Sequence, residues 1–469
     1  MHKPLLASLL ALLLSACMVG PDYVRPPLDA PAAWRLSEQD ARDLANTVWW
    51  EQYGDPVLNQ LVATALRENK DLLIAAARVE EFAGNYGIVR SGLFPQVGAG
   101  YEPSRQRATL ARDVDPSTYN SYQVVLNASW EIDIWGRIRR QTEAARAQLL
   151  ASEEGRRGVI LSLVGSVASA YINLRSLDRQ LEIARETAKS RGDSYEIFKD
   201  RFSGGVISLL ELSQNKSQYE EALASIPPLE KAIAQQENGL SVLLGRNPGP
   251  ITRGKNIDQL TLPAIPAGLP SDLLERRPDI RRAEQNLIAA NALIGAAKAA
   301  YFPTISLTGF FGYASLGLSN LFNSQSKIWQ YAAPINMPIF TGGSLAGQLQ
   351  AAEAVQQQAL FGYQKAIQEA FREVNDSLVN QDRTGAQLLA QKSQVKSLVQ
   401  YSETARLRYD NGYTSYIEVL DAERSLFNAQ LQYTQTQQAQ FQAMTNLYLA
   451  MGGGWVAEAD KMSVPPAEK

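Results

Sequence analysis

Histidine and cysteine are nearly absent from this chain. Its 469 residues hold one of each, His2 and Cys17, and both lie within the first 17 residues. A chain without histidine beyond its leader cannot build a Ser-His-Asp triad or a Cys/His metal site. Charge bias is absent too. Lys and Arg number 45 against 48 Asp and Glu, a formal net charge of −3. Nothing there favours nucleic acid. Past the N-terminal segment no run of 18 or more apolar residues occurs, so the sequence predicts no transmembrane helix. Any membrane crossing must then be made by β-strands or by a lipid anchor. Methionine is scarce, with 6 residues, and together with the near absence of histidine this disfavours copper- or zinc-selective binding. No catalytic group, metal site or cofactor is expected.

What is present begins with MHKPLLASLLALLLSA, residues 1–16. A basic start at Lys3, an apolar run from Leu5 to Leu14 and small residues after it are the layout of a secretory signal. The run is too short to span a bilayer. Leu14-Ser15-Ala16-Cys17 fits a bacterial lipobox, in which the cysteine thiol accepts a diacylglyceryl group. The plainer alternative is a small residue near a cleavage site. The lipobox reading makes Cys17 the lipidated mature N-terminus. Met18 follows where an aspartate would retain a lipoprotein at the inner membrane, so the expected location is the Gram-negative outer membrane. Several acyl chains are needed for stable anchoring.

The rest of the chain repeats itself at an offset near 207 residues. SGLFPQV (91–97) faces AAYFPTI (299–305), and RFSGGVISLLEL (201–212) faces RYDNGYTSYIEV (408–419). Near-constant register over such lengths argues duplication. The segments are 1–16 signal, 17–54 extended N-terminal segment, 55–245 first repeat, 246–270 connector, 271–452 second repeat and 453–469 tail.

Each half runs in the same order. A helix is predicted near Asp55–Ser91 and near Ser271–Ala300, stopped by Phe-Pro at Pro95 and Pro303. Strands follow. Tyr122, Val124, Leu126, Ala128 and Trp130 alternate with Gln123, Asn127, Ser129 and Glu131, with Val125 the one exception. Ile305, Leu307, Phe311 and Tyr313 alternate similarly, as do Trp329, Tyr331, Ala333, Ile335 and Met337. Such a period fits a tilted membrane strand with interfacial aromatics, or one sheet of a soluble two-layer fold. Proline-free stretches from Arg137 to about Phe198 and from Leu345 to about Tyr409 then predict helices of roughly 90 Å. Ile160, Val164, Val167, Tyr171 and Leu174 form a coiled-coil seam on the first, and Ile367, Phe371, Val374 and Leu378 a stripe on the second. Glycine turns at Gly204-Gly205 and Asn411-Gly412 lead into returning helices. Pro227-Pro228 predicts a kink in the first of these.

Four membrane-type strands per chain cannot close a barrel, and an open edge cannot lie in lipid. Several chains must share one barrel, and twelve strands would leave a lumen where eight would be filled. Long hairpins beside such a barrel imply a second, helical tube.

The residues CMVGPDYVRP (17–26), GLPSDLLERRPDI (268–280), AAKAAYFPTISL (296–307), PIFTGGSL (338–345) and RYDNGYTSYIEVLDAERSLF (408–427) carry a resemblance. In them the chain resembles the outer-membrane factor family of TolC-like channels, in its lipoprotein branch that includes OprM. The resemblance covers nearly the whole mature chain. It implies an α+β channel: a homotrimer with a twelve-stranded outer-membrane β-barrel, a periplasmic α-helical barrel and a mixed equatorial region. It also implies a passive exit duct of a tripartite efflux pump for drugs or other small toxic compounds, hence a part in antibiotic resistance. Its partners would be a periplasmic adaptor and an inner-membrane transporter of the resistance-nodulation-division type. Type I protein secretion is the alternative duct. A lipid-anchored coiled-coil spacer without a pore and a cell-wall hydrolase are the readings from other classes. The alternating strands count against the spacer.

The resemblance places the gate at the glycine turns. Asp421 falls on a ring of inward carboxylates, Ile417 on an apolar constriction and Glu418 on a second acidic position. Arg424, three residues after Asp421, shares its helix face and offsets repulsion within the ring. Glu211 matches an acid that ties neighbouring helices shut, with Arg408 and Tyr409 as partners. Like carboxylates around one axis favour cations. The plainer reading of Glu418 and Asp421 is a solvated helix face. GPITRGKN (249–256) nearly matches a phosphate-binding loop, but Asn256 replaces the magnesium-binding hydroxyl and no apolar strand precedes it, so it reads as a connector turn.

Overall fold

The computed structural model describes residues 18–27, 48–108, 116–265, 273–452 and 455–463. Cys17 and Ser271 lie outside these. The chain divides into two compact units. One comprises residues 1–28, 78–153 and 282–364, the other 29–77, 154–281 and 365–469.

The first unit holds the sheet. Strands β1 (Gln96–Ala108), β2 (Ser117–Ile132), β3 (Thr304–Ser315) and β4 (Lys327–Ala332) lie in that order, each antiparallel to the next. A two-residue continuation, β5 (Ile335–Asn336), pairs with the start of β3. Pro334 lies in the gap between β4 and β5, where a residue without an N–H is tolerated. Register puts Val97, Ala99 and Tyr101 of β1 opposite Ala128, Leu126 and Val124 of β2. Leu126 pairs in turn with Phe311, and Phe311 with Trp329. One face is therefore an apolar field in which Tyr101, Leu126, Phe311, Trp329 and Tyr331 stay exposed. Trp329 and Tyr331 stack at 5.7 Å. Lys327, at the other end of β4 from Pro334, sits 5.1 Å over the Phe311 ring. The opposite face carries Gly98, Gln123, Asn127, Ser129, Glu131, Ser306 and Thr308, with Val125, Phe310 and Ile328 as apolar exceptions. Gly312 is required in β3, because a Cβ there would lie 2.0 Å from the Val124 carbonyl oxygen. β1 itself escaped the alternation count. Its QVGAGYEPSRQRA contains Gly98, Gly100 and Pro103, which blank out the pattern.

Helices α1 (Pro56–Glu68) and α2 (Lys70–Ser91) replace the single helix predicted over 55–91. The break is Asn69, extended at ψ 129°. Its side chain donates to the Leu243 carbonyl at 2.9 Å and accepts from the Leu72 N–H at 3.0 Å, closing one helix and capping the next. Helix α3 (Arg137–Ser203) and α6 (Ser344–Asp410) are both 67 residues, and the returning helices α4 (Leu209–Leu243) and α7 (Tyr416–Ala450) are both 35. Equal lengths in the two halves are the duplication in structural form. At 1.5 Å per residue the long helices run about 100 Å. α4 continues unbroken through Pro227 and Pro228. Helix α5 (Pro278–Ala299) opens on the proline that a first turn accepts, and α8 (Trp455–Met462) follows α7.

The predicted seam is real. Ile160, Val164, Val167, Tyr171 and Leu174 are all fully buried. One stretch of α3 is apolar enough for a membrane span by composition, but half of it is buried within the protein. A core seam and a spanning segment share that composition, and burial decides for the seam. On the second stripe Ile367 and Val374 are buried. α3 and α7 approach closely where Gly165 lets Leu449 in; a Cβ would sit 2.4 Å from Leu449 Cδ1.

The loop that mimics a phosphate cradle holds a carboxylate of the chain itself. Lys255 N–H donates to Asp55 Oδ2 at 3.0 Å, and Tyr171 Oη donates to the same oxygen at 2.7 Å. Gly254 N–H donates to Tyr171 Oη at 3.0 Å. Asp55 also caps α1 through the Val57 N–H. It thus fastens the start of the first repeat to the connector and to the seam of α3. A Cβ on Gly254 would lie 2.1 Å from Asp55 Oδ1. Gly254→Ala is therefore expected to cost about 1–3 kcal/mol by overpacking, read as a lower midpoint in thermal unfolding. An unchanged midpoint would show that the clamp is loose.

Candidate functional site at the hairpin ends

The second unit contains both hairpin turns. Each long helix ends in a left-handed glycine, Gly205 at φ 74° and Gly412 at φ 77°. Val206 N–H then reaches back to the Arg201 carbonyl at 2.8 Å and Tyr413 N–H to the Arg408 carbonyl at 2.9 Å. Without a Cβ penalty at positive φ the chain can reverse there within a few residues.

Under the turns the two repeats share one small core. Phe198, Ala405, Tyr416, Val419 and Ala422 are buried together, with Ile207, Leu212, Tyr409 and Leu420 packed against them. Tyr409 stacks on Phe198 at 6.1 Å and tilts against Tyr416 at 5.1 Å. Tyr409, predicted as a polar gate partner, is thus also a packing residue. A polar layer lies next in sequence. Asn215 Nδ2 donates to Tyr416 Oη at 2.6 Å. Arg191 donates to the Gln218 carbonyl at 2.8 Å, pairs with Glu221 at 3.5 Å and lies 5.4 Å over the Phe427 ring. Arg406 bridges Asp410 and Glu423, both at 3.7 Å.

The predicted gate residues sit on the outer side of this core. Arg408 pairs with Glu418 at 3.1 Å, and Thr414 Oγ1 donates to the other Glu418 oxygen. Arg424 pairs with Asp421 at 3.0 Å, one helical turn apart as expected. Asp421 and Arg424 are each more than half exposed, whereas Glu418 is partly buried beside a half-exposed Arg408. Ile417 is 63% exposed, on the same turn of α7. Glu211 is used differently within one chain. Its carboxylate accepts from Ser208 N–H at 2.9 Å while its own N–H donates to Ser208 Oγ at 3.2 Å, a reciprocal cap on α4. Within one chain the structure does not bring it to Arg408 or Tyr409. The sequence reading missed the polar layer of Arg191, Asn215, Arg406 and Glu423. Its only trace was polar residues inside otherwise apolar helical stripes.

The comparisons with known proteins agree with this architecture. The family model for outer membrane efflux proteins matches residues 61–246 and 269–453, one match per repeat. The toluene efflux pump outer membrane protein TtgF of Pseudomonas putida is 39% identical over 460 residues, covering 95% of this chain and 96% of its own. The cation efflux system protein CusC of Escherichia coli is 37% identical over 459 residues, with 96% and 98% covered. The crystal structure of the Campylobacter jejuni CmeC outer membrane channel superposes with a TM-score of 0.89 at 25% identity, over 96% of this chain and 99% of that one. A two-faced sheet joined to long helical hairpins is thus the architecture of an outer-membrane channel. The chain belongs to the outer membrane efflux protein family. It is the outer-membrane exit duct of an efflux pump, and its fold class is the one expected from its sequence.

Burial holds the Glu423 carboxyl above the ordinary carboxylate range, with Arg406 and Arg191 opposing that shift. A raised folded-state pKa means the folded protein binds this proton more tightly than the unfolded chain. Its contribution to stability is present at low pH and is lost as pH rises through the raised value. Glu423→Gln removes the cost of the buried charge. Its thermal midpoint should exceed that of the parent at neutral pH, and the gap should close as pH falls below the ordinary carboxylate range. A gap that widens on acidification would overturn this.

Proposed function

We propose that three copies close their sheets into one twelve-stranded barrel, through which small toxic compounds leave the cell. The observation that carries this is a single sheet with one apolar face, one polar face and two unpaired edges, β1 and β4. Lipid can accept the apolar face but not the edges. Copies of the same chain supply the missing pairing, and three leave a lumen lined by Gln123, Asn127, Ser129 and Thr308. In this reading Cys17 carries the lipid anchor in the outer membrane. The hairpins form a helical tube whose ends meet a periplasmic adaptor and, through it, an inner-membrane transporter of the resistance-nodulation-division type. The exposed apolar residues Val206, Leu209, Leu210 and Tyr413 at the turns suit such docking. Relatives named for toluene and for cation efflux support hydrophobic solvents and cations as candidate cargoes in this reading.

The duct is shut at the hairpin ends by Asp421, Glu418 and Ile417. Arg424 and Arg408 moderate the carboxylates, and Glu211 meets Arg408 and Tyr409 only across the boundary between copies. No residue here performs a covalent step; the gate works by charge and width.

Ion conductance of the purified protein in planar bilayers tests this. The parent should give small, cation-preferring steps. Asp421→Ala or Glu418→Ala should enlarge the steps or weaken the preference. A confirmed oligomer that never conducts would remove the duct reading. Conductance indifferent to both substitutions would move the gate elsewhere.

A further inference from the structure

We propose that Phe340 of one copy stacks on Phe94 of the next, repeating across the boundary between copies a contact the chain makes once with itself. This rests on the shared-barrel reading and goes beyond it by naming the contact. The template is internal. Trp135, just after β2, stacks on Phe302, just before β3, at 4.6 Å and 24°. Its indole Nε1 donates to the Pro303 carbonyl at 2.8 Å. These residues join the end of the first repeat's strands to the start of the second's.

The duplication supplies an equivalent for each partner. LFP (93–95) faces YFP (301–303), so Phe94 stands where Phe302 does. IFTGG (339–343), between the β5 segment and α6, faces IWG (134–136), between β2 and α3, so Phe340 stands where Trp135 does. Yet this second pair is unmade. Phe340 is 91% exposed, Ile339 96% and Phe94 54%. Phe94 lines an open cavity of about 520 Å³ with Ile88, Trp130 and Ile138.

One chain cannot join them. Phe340 follows the β4 edge and Phe94 precedes β1, at opposite edges of the sheet but at the same end of its strands. A second copy continuing the ladder from β4 to its own β1 brings its Phe94 beside Phe340, as β2 and β3 bring Trp135 to Phe302. The occupant of the cavity is therefore another copy of this chain, entering with an aromatic ring and the isoleucine before it.

The test uses the full chain carrying Phe94→Cys with Phe340→Cys, since Cys17 is its only native cysteine. A short thiol cross-linker should give reducible bands at two and three times the chain mass, and neither single substitution should. Trp135→Cys with Phe302→Cys should cross-link without leaving the monomer mass. Light scattering of the unmodified protein separates the outcomes. An oligomer whose cysteine pair does not cross-link overturns the contact and leaves the shared barrel standing. A folded monomer overturns both. If the double substitution fails to assemble, Phe340→Ala and Phe340→Trp decide. Alanine should lower the temperature at which the oligomer dissociates in detergent, whereas tryptophan, native at the equivalent position, should preserve it. Equal temperatures for all three proteins would overturn the proposal.

Discussion

A four-stranded antiparallel sheet with an apolar face has two edges of unpaired N–H and C=O groups. In hydrocarbon each such group costs several kcal/mol, far more than side-chain packing along the edge could return. The sequence makes that sheet lipid-facing on one side: Leu126, Phe311 and Trp329 share one register row, and Val97 and Tyr101 stand in the same-face rows on either side of it. Association is then a condition of folding in the membrane. The duplication meets the same constraint at a smaller scale. Repeat one cannot pair its own β2 outer edge, so repeat two supplies β3, over 11 register pairs from Tyr122↔Ser315 to Ile132↔Ile305. The boundary between copies poses the problem again at β4 and β1.

The helices answer a different constraint. Helices of 67 residues gain little from propensity alone and depend on a continuous buried stripe. On α3 that stripe is Ile160 to Leu174, every member fully buried. The chain termini add to the same core. Trp49 stacks on Tyr448 at 5.3 Å and meets Trp455 edge-on at 6.0 Å, so segments on both sides of the repeats are fixed to α7. Asp55 fixes the connector to the seam through Tyr171. Three covalently distant stretches are thereby held on one helical layer.

Most of this was legible, and the exceptions have reasons. Long helices were readable because proline is absent and the apolar period is sustained, so boundaries fell within a few residues of Ser203 and Asp410. β2 to β4 were readable because one face is buried in lipid and the other wet, the condition under which period two survives. β1 was not, since glycine has no side chain to show a face. The break at Asn69 was hidden because asparagine's effect depends on a partner, the Leu243 carbonyl, 174 residues away. At the hairpin ends the sequence could point to Asp421, Glu418 and Arg408 through resemblance. It could not show that Glu211 caps its own helix or that Arg191, Asn215 and Glu423 lie beneath, because burial of a polar group leaves no periodic signature.

The chemistry at the hairpin ends is layered by strength. Of the outer pairs, Arg424–Asp421 is solvent-exposed and Arg408–Glu418 is partly so, and exposed pairs contribute about 0–1 kcal/mol. They can exchange partners at little cost, as the proposed gate requires. The core beneath, Phe198 with Tyr416 and Val419, is buried, and large-to-small changes in such a core cost about 2–5 kcal/mol. The two turns of one chain therefore move together when they move at all. The intermediate layer is where the balance can be tuned: Glu423 is partly buried near two arginines and Arg191 is weakened as a base by its own burial. A gate of the proposed kind, opening without unfolding, would keep its charges weakly held at the rim and its apolar contacts whole within each chain. On that proposal the yielding surface lies between copies, where single chains leave Ile417, Tyr413 and Leu209 uncovered.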